Sequence, residues 1–305
     1  MNQYVRKAEN GSPVDHYERV AGNGKKQKIA FTKMHGCAND YVYINCFDQD
    51  IENHAELAVW LSDRHTGIGG DGVIFICPSE IADAKMRMFN LDGSEGMMCG
   101  NGVRCVAKFV YDSGIARKDV LHIETLSGIK ICRVTVENGE VAAVTVDMGK
   151  AELAPEKIPV LFDGESVVSR EIEVLGEPYA VTCVSMGNPH CVIFGGDPDF
   201  IDLEKIGPYF EHFEKFPERI NTEFIQVLDD HTLKMRVWER GSGETMACGT
   251  GACASAVAAC LNGFCQKGED IRVRLRGGEL VIRYTDERVQ MTGNADTVFT
   301  GVVEI

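Results

Sequence analysis

A near-duplicate written 149 residues apart constrains this 305-residue chain more than any other feature. Met98-Cys99-Gly100-Asn101-Gly102-Val103-Arg104-Cys105 and Ala247-Cys248-Gly249-Thr250-Gly251-Ala252-Cys253 each set a cysteine directly before a Gly-x-Gly and then run into a small-residue, apolar segment that reads as a helix. A second pair of landmarks keeps almost the same offset. Met34-His35-Gly36 with Asn39 returns as Met186-Gly187-Asn188-Pro189-His190, and Met34 to Met186 is 152 residues. A period near 150 is too long for a solenoid. It specifies two similar α/β domains facing each other across a cleft, with pseudo-symmetry turning the two cysteine-led helix starts toward one another.

The order of predicted elements repeats as well. In the first half, strands over 27–33 and 41–46 precede a helix opened by Asn53, with Glu56 three residues on as in a capping box and Leu57, Trp60 and Leu61 on one face. A glycine-rich loop, 67–72, leads into a buried strand over 73–77. A strand over 84–89 then delivers Asn90 and the first cysteine-led helix, closed at Ser113-Gly114. Three strands follow, joined by Ser127-Gly128 and Asn138-Gly139 turns. The second half gives strands over 179–185 and 191–194, a helix over 202–213, strands over 222–228 and 232–238, the second cysteine-led helix closed at Asn262-Gly263, and hairpin-like strands from Ile271 onward.

A cysteine at a helix start sits among unpaired N–H groups at the positive end of the helix dipole. That setting lowers a thiol pKa and makes a thiolate available near neutral pH. Composition narrows the alternatives. The formal charge of −15 argues against a nucleic-acid or anionic-membrane surface as partner, and no run approaches the roughly 18 apolar residues of a membrane span. Residues 1–28 are polar and lack the apolar segment of a secretory signal, so they read as a disordered extension, and the chain reads as cytoplasmic. Twelve cysteines without export are expected as reduced thiols, and with no C-x-x-C there is little support for a zinc ribbon. Cys46, Cys77, Cys132 and Cys183 lie in β-like apolar runs and read as small buried hydrophobes, as do Cys105 and Cys253 inside the helices.

Opposed thiols suit removal of a proton from one face of a carbon and its return on the other, one sulfur as base and the other as acid. The paired helix starts would hold a substrate carboxylate and stabilise enediolate-like charge. They would thereby replace the electron sink that pyridoxal phosphate gives other racemases. No cofactor and no metal are called for.

The motifs Met34-His35-Gly36 with Asn39-Asp40, Phe89-Asn90-x-Asp92-Gly93-Ser94-Glu95, Cys99-Gly-Asn-Gly-x-Arg-Cys105, Ser185-Met-Gly-Asn-Pro-His190, Arg219-x-Asn221, Glu239-Arg240-Gly241 and Ala247-Cys-Gly-x-Gly-Ala252 together resemble diaminopimelate epimerase, from about Ile29 to the C-terminus. That family interconverts LL- and meso-2,6-diaminopimelate without a cofactor, for lysine and cell-wall synthesis. The resemblance implies an α+β fold of two pseudo-symmetric domains, each a mixed, mostly antiparallel sheet or barrel around a central helix. Its boundaries would fall at 29–147 plus 294–305 and at 148–293. It implies Cys99 and Cys248 as proton donor and acceptor, and backbone N–H groups of Gly100, Asn101, Gly249 and Thr250 around the reacting carboxylate. Arg240 would fork the distal carboxylate, with Asn90, Asn188 and Asn221 around it. Glu239 would accept from an ammonium and help poise a cysteine, His190 would tune the other thiol, and Asn39 would touch substrate.

Plainer alternatives stand beside these roles: turn chemistry for Asn90 and Asn221, a solvated ion pair for Glu239-Arg240, and a satisfied loop histidine for His190. Two departures matter. Gly72 stands where some members carry a substrate-contacting glutamine, and Asn294 where the family usually has proline. Phe299 matches an aromatic associated with homodimer formation. The nearest rival function is a proline-racemase-type enzyme; a second is a redox sensor closing a Cys99–Cys248 disulfide.

Overall fold

The structure, a computed structural model, describes residues 3–7, 16–20 and 27–304. Its α-helices are α1 (His54–Ser62), α2 (Gly100–Asp112), α3 (Leu203–Glu211) and α4 (Gly249–Leu261). The cysteine-led helices are the central ones. In α4 ten of thirteen residues are buried, as expected of a helix apolar on all sides. Its alanines, glycines and cysteines let strands close around it. In α2 even Arg104 and Lys108 are buried.

From Lys28 onward the strands form one closed, barrel-like sheet, and its pairings repeat half by half. In the first half, Lys28–Gly36 pairs antiparallel with Asn39–Asn45, which runs parallel to Gly72–Cys77. That strand is antiparallel to Ala84–Asn90, which is parallel to Val120–Thr125; hairpins then add Gly128–Glu137 and Glu140–Asp147. The second half has the same order in Glu177–Ser185, Pro189–Phe194, Asn221–Asp229, Thr232–Glu239, Asp270–Leu275, Gly278–Tyr284 and Val289–Gly293. Each parallel pair needs a long crossover, and α1 and α3 lie in the first crossover of each half. The halves are joined where Glu140–Asp147 pairs antiparallel with Val289–Gly293. The last strand, Asp296–Glu304, returns to pair with Lys28–Gly36. It takes the place that Arg170–Val174 takes beside Glu177–Ser185.

One large core cluster spans both halves around α2 and α4, while two smaller clusters lie under α1 and α3. The expected architecture of paired domains with central helices is therefore the observed one. Several details differ. Asn53 occupies the N-cap of α1 but in a left-handed conformation with no side-chain capping bond, so the capping box does not form. The first hairpin is tighter than read: strands reach Gly36 and resume at Asn39 across Cys37 and Ala38, both at positive φ. Cys132 and Cys183 are buried as expected, whereas Cys46 and Cys77 are half-buried. The expected disorder of residues 1–28 lies largely outside the described residues. Two strands described there, Gln3–Lys7 and His16–Val20, form a separate two-stranded sheet.

Candidate active site

Cys99 and Cys248 are the N-caps of the two central helices, both with extended backbone. Each sulfur accepts a hydrogen bond from the N–H three residues on, Gly102 at 3.2 Å and Gly251 at 3.4 Å. A thiol here takes the place that an oxygen usually fills. The N–H groups of Gly100, Asn101, Gly249 and Thr250 fall in first turns, where helix geometry provides no internal acceptor. The two starts converge on one thioether. A Cβ built on Gly100 would lie 3.0 Å from Met291 Cε, and one on Gly249 3.1 Å from Met291 Sδ. Glycine at both positions is what lets the helix ends approach the seam between the halves.

The expectation of low thiol pKa values is corrected. Burial pushes the Cys99 thiol up, against the N–H groups of Gly102 and Asn101 and the Arg104 guanidinium, with Glu239 adding to the rise. Burial pushes Cys248 further, helped by the Glu239 and Glu223 carboxylates. Withdrawal from water outweighs the helix-end dipoles when the charged form is a sulfur anion. Both thiols are therefore harder to ionise than a free cysteine.

The two surroundings differ. The Cys99 thiol donates to Asn39 Oδ1 at 3.2 Å, while Asn39 Nδ2 donates to Asp71 Oδ2 at 2.8 Å. Asp71 is itself held by Arg64 at 2.9 Å. The carboxylate fixes which end of the amide meets the sulfur. Around Cys248, the sulfur lies 3.5 Å from Thr250 Oγ1, and the nearby Glu239 carboxylate accepts from Thr245 Oγ1. His190, fully buried, has Nδ1 2.7 Å from Glu223 Oε1 and Nε2 3.0 Å from Asn188 Oδ1.

The remaining site residues are distributed as follows. Asn90 Nδ2 donates to Ser94 Oγ at 3.0 Å within its own turn. Asn221 donates to the Pro189 carbonyl at 2.7 Å and accepts from the Arg240 N–H at 3.0 Å, pinning two strand ends together. The Arg240 guanidinium donates to the Glu218 carbonyl at 3.0 Å. Asn101 is buried, and its Oδ1 finds no partner among the described residues. Gly72 has a structural reason: a Cβ there would lie 2.1 Å from the Phe89 carbonyl oxygen. Among the described residues no three His, Cys, Asp or Glu side chains converge as metal ligands.

Sequence reasoning missed Asp71, Tyr41 and Glu223. Tyr41 contacts Asn39 and Cys99. Glu223, fully buried in a strand, carried a signal: a carboxylate directly before the apolar pair Phe224-Ile225.

A family profile described as diaminopimelate epimerase matches residues 31–154 and 182–298. A diaminopimelate epimerase of Acetivibrio thermocellus is 54% identical over 91% of this chain and 99% of its own length. One of Methanococcus maripaludis is 53% identical over 91% and 100%. Among solved structures, a phenazine biosynthesis protein of the PhzF family from Bacillus anthracis aligns with TM-score 0.67 at 16% identity, over 92% of this chain and 100% of that one. A hydroxyproline epimerase from Agrobacterium vitis aligns with TM-score 0.62 at 14% identity, over 91% of each chain. These structural likenesses carry the fold alone.

Proposed function

The chain belongs to the diaminopimelate epimerase family, and from that premise we propose that it interconverts LL- and meso-2,6-diaminopimelate by a two-cysteine proton transfer, in lysine and peptidoglycan precursor synthesis. The observation that carries the mechanism is the convergence of two cysteine-capped helix starts on Met291.

The substrate α-carboxylate sits across both helix starts, taking N–H bonds from Gly100, Asn101, Gly249 and Thr250. Their donors are already oriented, so little reorganisation opposes the reaction. One cysteine acts as thiolate. Its sulfur takes the α-proton, an S–H bond forms as the C–H bond breaks, and the electron pair moves into the carboxylate as an enediolate. The opposite thiol then gives its proton to the other face of the carbon and is left as the thiolate. The proton count is unchanged and the two sulfurs have exchanged roles.

Glu239, whose carboxylate stands near the Cys248 thiol, helps poise that cysteine and accepts from the substrate ammonium. Asn39, which accepts from the Cys99 thiol, serves that sulfur without charge. The Arg240 fork, released from Glu218, binds the distal carboxylate bidentately, with Asn90, Asn188 and Asn221 closing the distal end. That second carboxylate favours a long, doubly charged amino acid over a cyclic one with a single carboxylate. We divide the chain as 29–147 plus 294–305 and 148–293, which the return of the last strand supports. We place the enzyme in the cytoplasm as a homodimer. No described helix is long and apolar enough to cross a membrane, and Phe299 stands half-exposed beside Phe31.

The test is substitution of each sulfur. Cys99→Ala and Cys248→Ala should each lower kcat/KM by on the order of 10³-fold or more with the thermal transition retained. Full turnover by either variant rules out the paired mechanism.

A further inference from the structure

Around the two cysteine-led helices, equivalent positions lie 149 residues apart, and the structure shows the correspondence at atomic level. A Cβ on Gly102 would meet Ile74 Cδ1 at 2.7 Å and Cys99 Cβ at 3.3 Å. A Cβ on Gly251 would meet Glu223 Oε1 at 2.6 Å and Cys248 Cβ at 3.2 Å. Ile74 and Glu223 therefore occupy the same place beneath the two cysteines, one a hydrocarbon and the other a carboxylate. Five residues into each helix the contrast reverses. The first half has Arg104 and the second Cys253.

Both charges are costly where they stand. Arg104 is fully buried. Its guanidinium donates to the carbonyls of Asn294 at 3.1 Å and Gly100 at 3.2 Å, and otherwise faces the sulfurs of Met291 and Cys37. Among the described residues no carboxylate lies within 4.0 Å of it. Glu223 is also fully buried; its Oε1 meets His190, and its Oε2 has no partner among the described residues. Buried charges left this thinly compensated are normally selected against. Each stands next to one reactive sulfur: Arg104 bonds the carbonyl of the residue after Cys99, and Glu223 packs beneath the helix start that Cys248 caps.

We propose that Arg104 and Glu223 are positioning residues that make the two thiols chemically inequivalent, Arg104 favouring the anionic sulfur at Cys99 and Glu223 disfavouring it at Cys248. The remaining groups facing each sulfur act around this bias. At Cys99 these are Asn39, Tyr41 and Glu239; at Cys248 they are Glu239, Thr250 and, beyond the carboxylates, His190. Burial raises both thiols, and the two charges then act on them with opposite sign. The enzyme starts with the base at Cys99 and the acid at Cys248, although the repeat alone would make them alike.

The proposal rests on the two-cysteine reading but is tested without substrate. Full-length protein is alkylated with iodoacetamide across a pH series, and Cys99 and Cys248 peptides are quantified separately by mass spectrometry. Using each cysteine's own pH profile removes differences in access. In the wild type Cys99 should become reactive at lower pH than Cys248. Glu223→Gln keeps the shape and removes the anion. It should move the Cys248 profile down by about one pH unit or more and leave Cys99 in place. Arg104→Gln should move the Cys99 profile up, and Arg104→Lys should bring it back.

In turnover, kcat/KM against pH is a bell requiring one thiolate and one thiol. Glu223→Gln should narrow it from the alkaline side and Arg104→Gln from the acid side. If Arg104→Gln fails to fold, the Glu223→Gln arm decides alone. Coincident wild-type profiles, or a Cys248 profile that Glu223→Gln does not move, overturn the proposal. Deuterium exchange by the wild type is scored separately, so failure of the epimerase reading is distinguished from failure of this one.

Discussion

At the scale of single residues, the site depends on which atoms are held and which are free to turn. Asn39 is held by Asp71, and Asn221 has both ends of its amide bonded to backbone. Among the described residues the Arg240 guanidinium makes one hydrogen bond, to a carbonyl, so its fork can move to a carboxylate at small cost. Arg240→Lys keeps the charge and loses the planar pair of donors. The expected outcome is a KM for LL-diaminopimelate raised about tenfold, equivalent to roughly 1.4 kcal/mol, with a smaller change in kcat. An unchanged KM in steady-state kinetics would contradict the distal site. The cysteines, asparagines and the Glu239-Arg240 pair were legible because they sit in motifs. Asp71 and Glu223 were not, because each acts through another side chain, and a one-dimensional pattern does not show which amide or imidazole a carboxylate orients.

At the scale of elements, turns do what helices cannot. The tip of the first hairpin, Cys37 and Ala38, holds two non-glycine residues at φ 53 and 63, a conformation that side chains ordinarily resist. It is packed against the second half's hairpin turn. A Cβ on Gly277 would lie 2.0 Å from the Cys37 carbonyl oxygen. The contact sits one residue from Ala38 and two from Asn39, so it also steadies the amide that faces Cys99. Gly277→Ala should cost about 1–3 kcal/mol of stability through overpacking, read as a lower Tm in thermal unfolding. A Tm equal to the wild type would show that the turns do not bear on each other. This hairpin was misread as a longer loop because it lacks the Asn-Gly or Gly-Gly that signals a two-residue turn. The Asn138-Gly139 turn, with both residues at positive φ, was read correctly for the opposite reason.

At the scale of the whole molecule, the chain closes on itself. The strand Asp296–Glu304 pairs with Lys28–Gly36 along almost its full length, and Lys28–Gly36 leads directly into Asn39. Truncation after Asn294 removes that partner and leaves a row of backbone N–H and C=O groups open. The expected outcome is a lowered Tm together with loss of epimerase activity, although no removed residue belongs to the site. Retained activity and an unchanged Tm would contradict a structural role for the closing strand. The repeat made the paired architecture legible, since equal spacing of motifs implies equal folds. It could not show the strand Arg170–Val174, nor how the two helix ends meet at Met291, because those follow from pairing between segments far apart in sequence.

The central claim is that one sulfur takes the α-proton while the other, a thiol that exchanges with solvent, gives its own proton to the opposite face. Incubating the reduced, full-length protein with LL-diaminopimelate in deuterated water, without added cofactor and beside an L-proline control, tests it most directly. The expected result is meso product carrying one deuterium at a single α-carbon and no label in proline. Unlabelled, unconverted diaminopimelate from folded, reduced protein would contradict it.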